Sequence, residues 1–395
     1  GGETKSVEHE TAKARIRKKP ELSTRSRRAT WVSRYAGWVD LGSQTPQGGV
    51  SPACRHCLHQ GGSDPKRGND HADPPRCPLA RLPADTVQVT HVLPVSSSFS
   101  FAATVYSHGW CVLAPFGWRS DDEVLERVLR VPGGTTRVAF SQPHGRGTAL
   151  VCQPVAGRGS RAGLNPVDRA CVDRLAARMF RLDADLSTFH ALCRRRGGTF
   201  ARAARAGFGR LLRAPTLFED VVKILATTNT TWAGTKAMVA KLVTLVGDAR
   251  GRDGLHPFPS PPEIATLGAE RLAAQARWGY RSAYLQGLCE RITSGTLDLS
   301  VWETWSGTTE ALEREIRSVP GLGPYAAAHV LALLGRHDRI GIDTVFRSFV
   351  RRTYFPRARK PPPDRRLLEI YEDWGPWRGL AYWADLWYAH HVHEL

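Results

Sequence analysis

A chain of 395 residues, 42% of them apolar, is long enough for two or three domains and supplies a sizeable core, which excludes a wholly unstructured polymer. Lys and Arg number 55 against 37 Asp and Glu, a net charge of +18 that marks a chain meeting a polyanion, nucleic acid first, although basic tails and scattered surface arginine also produce such a balance. No run reaches the roughly 18 apolar residues of a membrane span and no signal peptide opens the chain. The expectation is a soluble intracellular protein without a membrane partner, nuclear in a eukaryote and cytoplasmic in a bacterium.

Residues 1–86 are rich in Arg, Lys, Ser, Gly and Pro, with the clusters KARIRKKP and RSRR and little apolar periodicity, and read as a flexible basic tail. Such clusters are solvated tails, nuclear addresses or phosphate-binding arms; Glu3, Glu8 and Glu10 argue against an organelle transit peptide. Within the tail, Cys54-x-x-Cys57, His71 and Cys77 form a candidate zinc set. The second half lacks a short-spaced pair, so loose thiols fit equally. The eight cysteines are spread through the whole chain, the distribution of reduced thiols rather than of a disulfide framework.

Residues 87–160 read as a small β-rich domain. TVQVTHVLPVSSSFSFAATVYSHGWCVLAPFGW, TTRVAFSQ and TALVCQPV are short β-branched runs between turns, and SDDEVLERVLRV predicts one helix, with Ser120, Asp121 and Asp122 as cap candidates. From 161 to 395 amphipathic helices take over, beginning at VDRACVDRLAARMFRL, so the fold class is α+β with an all-α second domain. TEALEREI places Glu310 four before Arg314 and Glu313 four before Arg317, the pattern of a solvent-facing helix.

The segment SVPGLGPYAAAHVLALLGRHDRIGID holds the densest signal. Pro320 stops one helix, Gly321 and Gly323 allow positive φ and close approach, and Pro324 suits the first position of the next, which Gly335 ends. The result is a corner between helices whose free amides, unobstructed by side chains, can hold a phosphate; simple tight packing explains the glycines as well. Asp343 then opens DTVFRSFVRR, where an N-cap is its plain structural role. A carboxylate pinned at a helix start is also oriented and kept ionised, so capping and chemistry are compatible.

The hairpin followed by an Asp resembles the helix-hairpin-helix DNA glycosylase superfamily, in its 8-oxoguanine and 3-methyladenine branches, over most of the chain beyond the tail. The resemblance implies that Gly321, Leu322 and Gly323 contact the DNA backbone and that Asp343 is the catalytic acid. RLLRAPTLFEDVVKILATTNTTWAGTKAMVAKLV is similar to the 8-oxoguanine branch's entry into its helical core, which gives Asn229 the place of a gap-filling asparagine. GYRSAY is similar to that branch's Gly-Tyr-Arg, with Tyr280 as wedge and Arg281 toward the orphaned partner base. HGWCVLAPFGW looks like the small β domain ahead of the core. WGPWRGLAYWADLW looks like the last helix, where Trp374, Trp377, Tyr382 and Trp383 are candidates to stack on a flipped base, or are simply core.

Departures from the pattern carry as much weight. Tyr325 stands where bifunctional members have a lysine nucleophile, so hydrolysis without strand cutting is expected. His329, one turn on, joins the candidate base pocket with Tyr325, Trp377 and Tyr382, or is an ordinary helix histidine. No cysteine follows Cys289, so the four-cysteine iron-sulfur loop of the endonuclease III branch is absent and no cofactor is expected. Tyr382 and Leu386 stand where the 8-oxoguanine branch places a Gln and a Phe, which leaves oxidised and alkylated purines both open. The reading is thus a monomeric, monofunctional glycosylase acting on duplex DNA with a damaged or mismatched base. Its rivals are a non-catalytic hairpin protein that only binds DNA, and a zinc or protein-interaction tail carried beside a repair fold.

Overall fold

The computed structural model describes residues 90–143, 147–155, 163–246 and 256–391. The basic tail and its Cys54, Cys57, His71 and Cys77 set lie outside the described residues.

Five antiparallel strands, β1 (His91–Pro94), β2 (Phe116–Arg119), β3 (Val124–Val131), β4 (Gly134–Ser141) and β5 (Ala149–Pro154), form one sheet in the order β1-β5-β4-β3-β2. β4 shows why: Thr136, Val138 and Phe140 alternate inward while their neighbours are only partly covered. Two local expectations are corrected here. The helix expected from Ser120 is a turn followed by strand β3. VLERVLRV satisfies a helical period and a strand period alike, and ladders to β2 on one side and β4 on the other decide for the strand. Asp122 accepts from Arg119 Nε (3.2 Å) within that turn rather than capping a helix. Conversely, part of the expected strand run is a short helix, α1 (Phe101–Val105), because the Ser100 side chain accepts from Ala103 N–H and gives the turn an N-cap that β-propensity does not register.

The helices that follow are α2 (Pro166–Met179), α3 (Ser187–Arg196), α4 (Gly198–Arg205), α5 (Leu217–Thr227), α6 (Trp232–Val246), α7 (Pro261–Ala265), α8 (Ala269–Gln275), α9 (Arg281–Thr293), α10 (Ser300–Glu303), α11 (Thr309–Arg317), α12 (Pro324–Leu334), α13 (Thr344–Tyr354), α14 (Asp364–Leu368) and α15 (Arg378–His391), the last preceded by a 3-10 stretch, Glu369–Trp377. None is long and apolar enough to cross a membrane. The sheet packs on the C-terminal end of α2, where the Phe180 ring lies 5.4 Å from Phe101 and 5.3 Å from Phe140. The five cysteines among the described residues are buried and unpaired.

A buried polar network ties the sheet to α5. Asp220 accepts from Trp110 Nε1 (2.9 Å) and Ala214 N (2.8 Å) and pairs with Arg178 (3.0 Å). One residue back, Glu219 pairs with Arg127 of β3 and with Lys223 (2.7 Å), and both cations lie over the Phe116 ring, at 4.6 and 4.5 Å. All of Arg127, Glu219 and Lys223 are buried, so their Coulomb attraction offsets a heavy desolvation cost only while every partner is present. Glu219→Ala leaves two interior cations with one anion fewer; we expect a loss of about 3–5 kcal/mol in urea unfolding, the cost of orphaning a buried ion pair.

Candidate active site

The corner between α11 and α12 forms as its residues dictate, with one exception. Gly321 sits at φ 90°, and a Cβ there would meet Leu225 Cδ1 and Tyr284 Cδ2 at 2.9 Å, so both conformation and space require glycine. Gly323 does not adopt positive φ. It is the extended N-cap of α12 (φ −71°, ψ −175°), exposed, with open space where a Cβ would stand, so what glycine provides there is an unobstructed approach to the helix's first amides. Leu322 is buried in the core, which leaves only its main chain available to a ligand. Pro324 is the first helical residue and Gly335 closes α12 at φ 89°. Glu310 and Glu313 of α11 both pair with Arg339, Glu313 at 2.9 Å, which braces the loop leading from α12 to Asp343.

Asp343 is the N-cap of α13: its Oδ1 accepts from Phe346 N–H at 2.7 Å. It also lines the largest cavity among the described residues, of about 730 Å³, a size typical of ligand sites. Burial pushes its carboxyl above the usual aspartate range, against the Phe346 amide and His329, which favour the anion. The loop holding it is packed from two sides. Gly379 N–H donates to His337 O (2.7 Å) at the start of α15, and a Cβ on Gly341 would fall 2.2 Å from Cε1 of His329.

One wall of the cavity is a continuous run of rings from the corner to the sheet domain. Tyr325 lies 4.3 Å from His329, His329 5.9 Å from Trp383, Trp383 5.9 Å from His108, and His108 4.7 Å from Trp110. Tyr325 donates to Thr227 Oγ1 (3.4 Å), whose own proton goes to Ile224 O, and burial raises the phenol's pKa further above its ordinary value. His329 donates from Nδ1 to Tyr325 O (2.9 Å), and burial lowers its pKa. Burial, with His329 and Lys223 nearby, pushes His108 down to about 3, so it is a neutral ring. Its Nε2 is buried and makes no hydrogen bond, an omission worth roughly 1–3 kcal/mol in the empty cavity.

At the mouth, Asn229 is exposed at φ 45° in the loop between α5 and α6, where it had otherwise read as a helix residue, and its Nδ2 donates to Tyr280 Oη (3.2 Å). Tyr280 is 55% exposed, a large aromatic left to solvent beside a cavity, and Tyr284 packs edge-on against it at 6.1 Å.

Of the residues singled out in the sequence, Asp343, Gly321, Gly323, Asn229, Tyr280, Tyr325, His329 and Tyr382 line this one cavity. Arg281 does not. It is buried, and its guanidinium donates to Thr228 O and Asn229 O, each at 2.9 Å, so it holds the loop that presents Asn229 instead of reaching outward. Trp377 is also outside the lining, stacked on His337 at 5.8 Å and packed against Phe189; Trp374 packs on Phe200 at 4.6 Å. Both tryptophans are core. His108, Trp110, Thr227 and Tyr284 are lining residues that the sequence did not single out. His108 and Trp110 belong to a segment read as sheet domain, and only the tertiary fold carries them to the hairpin.

No protein-family model matches the chain, and no curated protein sequence does. Solved structures do. MBOgg1 in complex with a low affinity DNA ligand superposes with a TM-score of 0.59 at 19% identity, over 78% of this chain and 98% of that one. The 3-methyladenine DNA glycosylase from Archaeoglobus fulgidus gives 0.58 at 16%, over 76% and 98%. The Clostridium acetobutylicum 8-oxoguanine glycosylase/lyase, in complex with duplex DNA containing cytosine opposite 8-oxoguanine, gives 0.58 at 14%, over 78% and 97%. The chain has the helix-hairpin-helix DNA glycosylase fold.

Within that fold, the hairpin is the corner at Gly321 and Gly323, and the acid that follows it is Asp343. Tyr325, the first side chain of α12 to enter the cavity, stands at the position read as that of the lysine nucleophile. No lysine lines the cavity among the described residues.

Proposed function

We propose that the protein is a DNA glycosylase of base-excision repair that hydrolyses the N-glycosidic bond of an extruded, damaged base without cutting the strand. The observation that carries this reading is Asp343, an interior carboxylate fixed by the Phe346 amide on the wall of a base-sized, ring-lined cavity.

The corner's amides grip the duplex backbone at Gly321 and Gly323, and Tyr280 with Asn229 occupies the gap that extrusion leaves in the stack. The base enters against the wall of Tyr325, His329 and Trp383, with Tyr382 behind, its ring 5.4 Å from Trp383. As the glycosidic bond breaks, its electron pair leaves with the base and positive charge develops on the sugar, where the Asp343 carboxylate stabilises it. A water oxygen then bonds to the anomeric carbon and gives its proton to that carboxylate. Extrusion costs a few kcal/mol, which favours damaged or mispaired bases that are weakly held. Tyr325 has a phenol where a Schiff-base amine would be needed, and burial holds it protonated; hence hydrolysis alone. Oxidised and alkylated purines are the substrate classes considered.

The experiment is incubation with duplexes that each contain one lesion, followed by hot alkali. We expect abasic sites for at least one damaged purine, with strand breaks only after alkali. Breaks without alkali contradict the hydrolytic mechanism, and duplex binding without excision of any lesion leaves a non-catalytic DNA-binding protein. The active form of Asp343 is the anion and burial raises its pKa, so activity is retained above the raised value and lost as pH falls through it. The acid limb of single-turnover excision therefore lies above the value of about 4 expected for an ordinary aspartate.

A further inference from the structure

We propose that His108 reads the extruded base by donating a hydrogen bond from Nε2–H to an in-plane acceptor, a ring nitrogen or carbonyl oxygen, and so selects neutral damaged bases over alkylated purine cations. The inference rests on the glycosylase reading above and narrows its substrate class.

The tautomer follows from the partners on the other side of the ring. Ser107 Oγ accepts the Leu212 N–H (2.9 Å) and lies 2.9 Å from His108 Nδ1. Ser107 has one proton of its own, and the only acceptor within its reach is that Nδ1. The serine therefore donates, Nδ1 accepts, and the ring's hydrogen resides on Nε2.

That N–H is a buried donor with no partner in the protein, on a ring that is 6% exposed and lines the cavity. A buried polar group left unmade in the free protein is a place where a ligand's complementary atom is strongly preferred, because bases lacking that atom leave it unpaired. The ring cannot swing away to find another partner. Trp110 stacks on it at 4.7 Å, Trp383 meets it edge-on at 5.9 Å, and Trp110 is itself fixed by Asp220.

Charge reinforces the selection. Burial together with Lys223 and His329 keeps His108 neutral, so it presents a donor and no countercharge. Alkylation at a purine ring nitrogen removes an acceptor and adds a positive charge. Oxidation or deamination places a carbonyl oxygen on a neutral ring, which suits the Nε2–H. The pocket is thus matched to the second class.

The test is single-turnover excision from duplexes containing 8-oxoguanine, hypoxanthine or N7-methylguanine by the wild type, His108→Phe and His108→Gln, with affinity for a duplex carrying a tetrahydrofuran abasic analogue measured in parallel. We expect the wild type to favour a carbonyl-bearing neutral base. His108→Phe should slow its excision roughly tenfold, the worth of one hydrogen bond in a dry site, whereas His108→Gln, which keeps an N–H donor, retains most of the rate. Affinity for the abasic duplex, which has no base to read, is the same in all three. Wild-type rates for His108→Phe, a parallel loss of abasic-duplex affinity, or preference for N7-methylguanine would each overturn the proposal while leaving the glycosylase reading intact. A wild type that excises no base in the panel overturns both.

Discussion

Everything the cavity can do depends on one hydrogen bond, from Phe346 N–H to the Asp343 carboxylate at the head of α13. An aspartate moved out of water would ordinarily take up a proton. The helix start opposes that with an aligned amide and the positive end of the dipole, so the group is held in one orientation while burial raises its pKa. Structural capping and electrostatic stabilisation of a cationic sugar use the same oxygens, and neither role requires the other to be given up.

The rest of the molecule can be seen as the means of bringing a wall to that carboxylate. The Glu219 and Asp220 network locks α5 to the sheet, and α5 ends at Thr227 and the loop of Asn229. Trp110, tied to Asp220, carries His108 into the cavity, and α15 docks on the loop before Asp343 through Gly379. Two regions far apart in sequence thus supply opposite ends of one run of rings. Arg281, bonded to the carbonyls of Thr228 and Asn229, does the same at the mouth, fixing the loop that presents Asn229 beside Tyr280.

Much of the site was legible because its chemistry is local. Pro320 to Pro324 specify a corner through their own backbone preferences, and Asp343 announces a helix start by residue type alone. The resemblance carried Asn229 and Tyr280, and the fold brings them to one cavity. Legibility failed where tertiary packing chooses between equal local options. VLERVLRV became strand β3 because two neighbouring strands offered ladders, and Phe101–Val105 became a helix because Ser100 caps it. Trp374, Trp377 and Arg281 are residue types that serve a DNA site or a core equally well, and only their neighbours assign them to the core. His108 offered no signal beyond being a histidine; its meaning comes from a proton that Ser107 sends to Nδ1 and from the empty space beside Nε2.

The most direct measurement is single-turnover excision by Asp343→Asn on whichever lesion duplex the wild type cleaves, beside its affinity for that duplex. Asparagine caps a helix about as well as aspartate, so the fold, the loop and DNA affinity should persist while the negative charge is gone. The account predicts unchanged affinity with excision slowed by at least about a hundredfold. Excision at the wild-type rate would contradict it.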